Sequence, residues 1–160
     1  MRNSLKNLGF DYVDVVYCHR NDDQTPMEEI CRAFDWIIRK GWAFYWGTSE
    51  WCQDHIAEAH MICEKYNLIK PVVEQPQYNI FERDNMEVKY RRLFEKGLLG
   101  TTIFSPLAGG TLTGKYNNGI PEGSRLDKNP EIMKVFHGFF QGDRKEQTIA
   151  ALNKFGDLAK

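Results

Sequence analysis

Along the first hundred residues the pattern of apolar and polar positions switches repeatedly between a period near two and a period near four. Residues 12–17 read Tyr-Val-Asp-Val-Val-Tyr, a β-branched and aromatic run that suits a strand. From Met27 to Arg39 the apolar residues Ile30, Phe34, Ile37 and Ile38 recur at the spacing of one helix face, and Gly41 supplies the stop. The alternation continues with a strand over 43–46, a helix over 54–66 carrying Ile56, Ala59 and Cys63 on one side, and a strand over 72–74. It then predicts a helix over 86–96 ended by Gly97, a strand over 99–104 and a last helix over 144–158. Leu5 to Leu8 reads as the tail of an earlier helix. Thr25-Pro26 followed by Glu28 predicts a helix start with Thr25 as N-cap and Glu28 closing a capping box. That reading is preferred to a metal site built from Asp22, Asp23, Glu28 and Glu29.

Strands separated by helices of this length need crossover connections, so the elements imply an α/β fold with a parallel sheet and helices packed outside it. Four parallel strands make either an open doubly wound sheet or half of an eight-stranded barrel, and periodicity leaves both open. The strand ends bear on the choice. His19, Thr48, Ser49, Glu74, Gln75 and Ser105 each follow an apolar run and are expected to gather on one rim. In a parallel barrel the loops at the carboxyl ends of the strands build the site.

Composition changes this picture by exclusion. The 160 residues have the length of a single domain, with 42% hydrophobic and 13% aromatic residues, as a globular chain should. A net charge of −1 supplies no basic field for nucleic acid, and no apolar stretch approaches a membrane span, so neither nucleic-acid binding nor direct membrane insertion is expected. Cys18, Cys31, Cys52 and Cys63 lack C-x-x-C spacing, which points away from zinc or a redox pair and toward reduced thiols in a cytoplasmic protein. The residues after Met1 show no apolar signal core. Trp36, Trp42, Trp46 and Trp51, and likewise Tyr12 and Tyr17, are read as packing residues.

One stretch carries chemistry. Phe104-Ser105-Pro106-Leu107-Ala108-Gly109-Gly110 ends a strand in a glycine-rich loop, with Lys115 and Arg125 a short way downstream. An aromatic ring at a strand mouth can stack on a flat heterocycle. The Ser hydroxyl and main-chain N–H groups can bond phosphate oxygens, and glycine lets backbone approach closely. Such a loop suits a phosphate-bearing dinucleotide, although no G-x-G-x-x-G follows a strand.

The segments SLKNLGFDYVDVVYCHR, TPMEEICRAFDWIIRKGWAFYWGTSEW, EKYNLIKPVVEQPQYNIFER and FSPLAGGTLTGKY, with GIPEGSR behind them, resemble the aldo-keto reductase superfamily. Within it they are most like the branch of voltage-gated potassium channel β-subunits and related reductases. The resemblance covers residues 4–125. It implies an eight-stranded (β/α) barrel, TIM-barrel in type, of which this chain supplies about strands four to seven as one incomplete domain over residues 1–160. It also implies NADPH as cofactor and hydride transfer to an aldehyde or ketone.

By the same resemblance His19 bonds the substrate carbonyl at a position where channel β-subunits carry Asn. Ser49 and Gln75 bond the nicotinamide carboxamide, and Phe104 stacks on its ring where the β-subunits use Trp. Ser105, Pro106, Leu107, Ala108 and Gly109 form the pyrophosphate loop, while Lys115 and Arg125 lie at the phosphate-bearing adenosine end. Glu50 is placed among the cofactor-binding residues at a position where the β-subunits often carry Arg, and Gly123 stands where a Tyr is expected near the ribose. The family's proton-donating Tyr, with its Lys and Asp, maps before Met1, so the chain by itself is expected to be inactive. The alternative the resemblance implies is a regulatory channel β-subunit that binds NADPH as a redox sensor. A small carbonyl substrate, a potassium channel and a second copy of the chain are the partners to be tested.

Overall fold

In the computed structural model, which describes residues 1–129, 131 and 144–159, the chain gathers into two compact units, Met1–Phe104 and Ser105–Lys160. The first contains helix α1 (Arg2–Leu8), strand β1 (Val13–His19), helix α2 (Met27–Arg39), strand β2 (Ala43–Ser49), helix α3 (Gln53–Tyr66), strand β3 (Val73–Gln75), a π-helical turn (Asn85–Lys89), helix α4 (Arg91–Glu95) and strand β4 (Gly100–Thr101). The sheet runs β1-β2-β3-β4 with every neighbouring pair parallel. Spatial order follows chain order without reversal. A doubly wound sheet reverses at a switch point, so this arrangement is that of a partial (β/α) barrel.

The helices cover one face of the sheet. Residues of one parity along β1 and β2, namely Val16, Cys18 and Trp46, pack with Met27, Ile30, Cys31, Ile56, Ala59 and Cys63 from α2 and α3. Trp46 is fully buried, its ring stacked on Phe34 with centroids 4.8 Å apart, and its indole N–H donates to the Ile69 carbonyl at 2.7 Å. The opposite parity, Val15, Tyr17 and Tyr45, points away from the helices, and Tyr45 is 54% exposed. Trp36 and Trp42 lie at the surface side of α2 as an edge-to-face pair 5.2 Å apart, with Trp36 exposed. Two of the four tryptophans therefore pack in the interior and two do not.

Helix α2 has the predicted bounds, but its start differs from the expected capping box. Pro26 occupies the N-cap position without a side-chain bond. Thr25 instead donates its hydroxyl to Asp22 Oδ2 at 2.7 Å, and Asp22 Oδ1 accepts the Gln24 N–H at 3.0 Å. Glu28 turns outward to pair with Arg32 at 2.8 Å. The local Asp turn competes for the same hydroxyl and wins it.

Two later elements are broken where the sequence predicts continuity. The helix expected over 86–96 divides at Tyr90, whose N–H bonds the Asn85 carbonyl five residues back at 2.8 Å. That wider turn carries the Tyr90 ring into the core, where its hydroxyl donates to the Trp51 carbonyl at 2.5 Å. Strand β4 is short for a different reason. Gly100, Thr102 and Phe104 each donate an N–H to Val72, Glu74 and Pro76. The return bond beside Thr102 would have to come from residue 76, and proline has no N–H. Phe104 is left in an isolated bridge to Gln77.

The second unit holds a 3₁₀ segment (Ala108–Thr113), helix α5 (Arg125–Lys128) and helix α6 (Arg144–Leu158). Asn117 donates to Asn153 Oδ1 at 2.7 Å within it. Ser124 Oγ caps α5 by accepting the Asp127 N–H, and Asp127 Oδ2 accepts the Gly123 N–H at 2.8 Å. All four cysteines are free thiols. Among the described residues no helix is long and apolar enough to cross a membrane.

Candidate functional site

Parallel pairing sets His19 beside Ser49 and Ser49 beside Gln75, so three residues from distant parts of the chain form one row at the carboxyl ends of β1, β2 and β3. Alternation along the strands places that row on the face turned away from the helices, the same face as Tyr17, Gly47 and Val73. Ser49 Oγ donates to the Gln75 carbonyl at 3.1 Å. Gln75 Nε2 donates to Thr102 Oγ1 at 3.2 Å, and the Tyr17 hydroxyl shares a bond of 2.9 Å with the same oxygen. Thr102 thus fixes the Gln75 amide, a part the sequence reading missed. Its signal was available, since a Thr two residues before Phe104 on the same strand must share a face with it. Tyr17 contributes a hydroxyl as well as packing, and Tyr12 lies exposed against Phe44.

Gly47 lets these strands meet. A Cβ there would lie 2.4 Å from both Cγ1 and the carbonyl oxygen of Val73 and 3.0 Å from Tyr17 Cε1. No side chain fits without moving β3.

The strand exits then bend sharply. Arg20, Glu50 and Ser105, the residues directly after His19, Ser49 and Phe104, have φ of 37°, 59° and 53°, and Ala108 follows at 48°. Left-handed backbone costs a non-glycine residue on the order of 1 kcal/mol or more, and such residues cluster where a site over-determines the chain. Two of the bends are visibly held. The Arg20 N–H donates to the Ser49 carbonyl at 3.0 Å, and the Gln77 N–H donates to Glu50 Oε1 at 2.6 Å. The Glu50 carboxylate is therefore spent on joining the β2 exit to the β3 exit.

Thr48 and Glu74, expected on the rim with their neighbours, are on the other side of the sheet. Both are fully buried, and the Thr48 hydroxyl donates to Glu74 Oε2. The correction follows from strand alternation, because consecutive residues cannot face the same way. Burial pushes the Glu74 carboxyl up to about 7, against the opposing pull of Thr48 and of the Glu50 and Trp51 N–H groups.

Phe104 is half-buried beside Gln77. In the second unit the loop is wound through left-handed residues, Ser105 and then Ala108, Gly109 and Gly110 in succession. The Ala108 N–H donates to Ser105 and the Gly110 N–H to Leu107, so those two amides are engaged within the loop. Pro106 and Leu107 are exposed, Ser105 and Gly109 half-buried, and Ala108 buried. The Lys115 side chain lies along this loop. A Cβ on Gly110 would come within 2.7 Å of Lys115 Cε and 2.9 Å of Nζ, and Nζ sits 4.9 Å from the Tyr116 ring centre. Arg125 opens α5 and is exposed.

The row is suited to a carboxamide. Gln75 has its side-chain oxygen and a second N–H beyond the Thr102 bond, and the Ser49 oxygen retains lone pairs, so the pair presents both donor and acceptor. His19, exposed at the end of the row, offers a ring nitrogen to a polar group above it.

A model of the aldo/keto reductase family matches residues 1–160. The chain is 54% identical over 124 residues to a probable voltage-gated potassium channel subunit beta of Arabidopsis thaliana, covering 77% of this chain and 38% of the relative. Over 123 residues it is 57% identical to a putative protein of that name from Schizosaccharomyces pombe, with 77% and 36% covered. A rice protein of the same description is 53% identical over 127 residues, with 79% and 39% covered. The chain thus spans less than two-fifths of the length of these relatives. A glycerol dehydrogenase structure from Gluconobacter oxydans superposes with a TM-score of 0.76 over 99% of this chain and 44% of the other; at 24% identity the likeness is one of fold.

Proposed function

Because the chain belongs to the aldo/keto reductase family, we propose that it supplies the cofactor-binding half of an NADPH-dependent oxidoreductase that reduces aldehydes or ketones. The observation that carries this reading is the row His19–Ser49–Gln75, in which one residue for a carbonyl stands beside two for an amide. When bound, reduced nicotinamide supplies the hydride. Ser49 and Gln75 hold the carboxamide and so select which face of the ring is presented. Phe104 stacks against the ring, and the loop Ser105–Gly109 meets the pyrophosphate through hydroxyl and main-chain groups. Lys115 and Arg125 neutralise phosphate charge. His19 donates a hydrogen bond to the substrate carbonyl, which orients it and stabilises the negative charge that develops on its oxygen. Free thiols fit a cytoplasmic location.

Fluorescence titration of NADPH into the protein carrying this chain, followed by loss of reduced-nicotinamide absorbance with a reactive aldehyde, tests the reading. Saturable binding with turnover supports it, and no binding removes it. The names of the relatives favour a second reading, a regulatory subunit of a voltage-gated potassium channel whose cofactor state is sensed by the channel. NADPH binding without measurable turnover, together with capture by the cytoplasmic portion of such a channel, would select it.

A further inference from the structure

Directly behind the row lies a buried polar cluster that the proposed chemistry does not use. Thr48 precedes Ser49, Glu74 precedes Gln75, and Glu50 follows Ser49, so each amide-binding residue is flanked by a member of the cluster. Glu74 Oε2 bonds the Thr48 hydroxyl, the Glu50 and Trp51 N–H groups face the carboxyl, and Tyr90 anchors the Trp51 carbonyl at 2.5 Å. Glu74, Thr48, Trp51 and Tyr90 are all buried. Two polar atoms in the cluster, Glu74 Oε1 and the Trp51 indole nitrogen, make no hydrogen bond among the described residues. A fully buried carboxyl with one oxygen unpaired is costly as an anion and is better held as an acid.

We propose that Glu74 is a positioning residue of the carboxamide subsite, its buried carboxyl tying Thr48 and the Glu50–Trp51 turn to the strand that ends in Gln75, so that Ser49 and Gln75 keep their spacing only while the tie is intact. This inference rests on the amide-binding role proposed above for Ser49 and Gln75. Held as an acid, Glu74 accepts the Thr48 hydroxyl on Oε2 and carries its proton on Oε1, the oxygen that makes no hydrogen bond among the described residues. As an anion it adds a negative charge to surroundings that already repel it. The Glu50 carboxylate bears on it directly. The Tyr90 phenol is held neutral by burial first and then by Glu74, Glu50 and Cys52. The Cys18 thiol, next to Thr48 on β1, is pushed up to about 11 by burial. Loss of the proton therefore loosens the tie, and the carboxamide subsite with it.

The test compares wild type, Glu74→Gln and Thr48→Val in the protein carrying this chain. Dissociation constants for NADPH and for adenosine 2′,5′-bisphosphate, which lacks the nicotinamide, are measured from pH 6 to pH 8.5. Wild type is expected to lose about tenfold in NADPH affinity beyond any change seen with the bisphosphate, about one hydrogen bond's worth. Glu74→Gln, which cannot ionise, should match wild type at pH 6 and show no excess pH dependence. Thr48→Val leaves the carboxyl in place but removes its partner, and should weaken NADPH throughout while leaving the bisphosphate unchanged. If wild type binds NADPH and Glu74→Gln keeps the wild-type pH profile, or if Thr48→Val binds both ligands like wild type, Glu74 has no positioning role. If wild type binds the bisphosphate but gains nothing from the nicotinamide, the amide subsite itself is wrong and the inference falls with it.

Discussion

His19 stands exposed at the end of β1, next to Ser49 in register, and its proposed work is to orient a carbonyl rather than to hold the fold. His19→Asn should therefore lower aldehyde turnover by about a hundredfold, the loss typical of one oxyanion-directed hydrogen bond, while the NADPH dissociation constant stays within a few-fold. Steady-state kinetics with a reactive aldehyde reads this, and unchanged turnover would reduce His19 to a strand-end residue. Asp35 makes the opposite case, a polar side chain engaged in structure. It is buried on α2, accepts Arg39 Nε at 2.7 Å and caps the Ile69 N–H at 2.9 Å. Burial works to raise its pKa, but the Arg39 and Ile69 bonds outweigh that and hold the carboxyl below the usual range. Asp35→Ala should cost about 1–3 kcal/mol at pH 7, because the Ile69 N–H is left unpaired. A group depressed in the folded state gives stability that is present above its unfolded value and lost as pH falls through its folded one. The gap between wild type and variant in urea unfolding should accordingly close below about pH 4. Residue identity at the strand ends was readable from sequence; face was not. Thr48 and Glu74 look as polar as Ser49 and Gln75, and only the settled phase of β2 and β3 separates two rim residues from two buried ones.

At the level of elements, α2, α3 and the last helix could be read because each carries an apolar stripe or stop signal that is local. The failures share a non-local cause. Tyr90 breaks its helix because its hydroxyl has a partner on Trp51, far away in sequence, and β4 is shortened by a proline on the neighbouring strand rather than by its own residues. The loop from Ser105 to Gly114 could be recognised by its glycines, but the lysine packed against Gly110 could not. That contact gives the loop a testable function. Lys115 and Arg125 follow the loop on a chain of net charge −1, and cations beside an added phosphate act through charge-assisted bonds. Lys115→Met and Arg125→Met should each weaken NADPH more than NADH, by about 1.5–3 kcal/mol of extra loss. Titration of both cofactors decides it, and equal losses would detach these residues from the phosphate.

On the scale of the whole chain, the periodic pattern supplied strands and helices but not their spatial order, since an open sheet and half a barrel share the same local code. The unreversed order of β1 to β4 decides it, and the same order exposes what the sheet lacks. Among the described residues β1 and β4 each pair on one side only, which leaves main-chain donors and acceptors on both edges. The face opposite the helices carries Tyr45 at 54% exposure. In a closed barrel such a face is interior and such edges are paired. The 160-residue chain produced alone should therefore self-associate at micromolar concentration and bind a dye specific for apolar surface. Its unfolding should be broad, because open edges and an uncovered sheet face leave burial short of what offsets chain entropy. Sedimentation velocity across a dilution series and calorimetry test this together. A dilute monomer with one sharp cooperative transition and no dye binding would mean that the chain satisfies its own edges and sheet face without further strands.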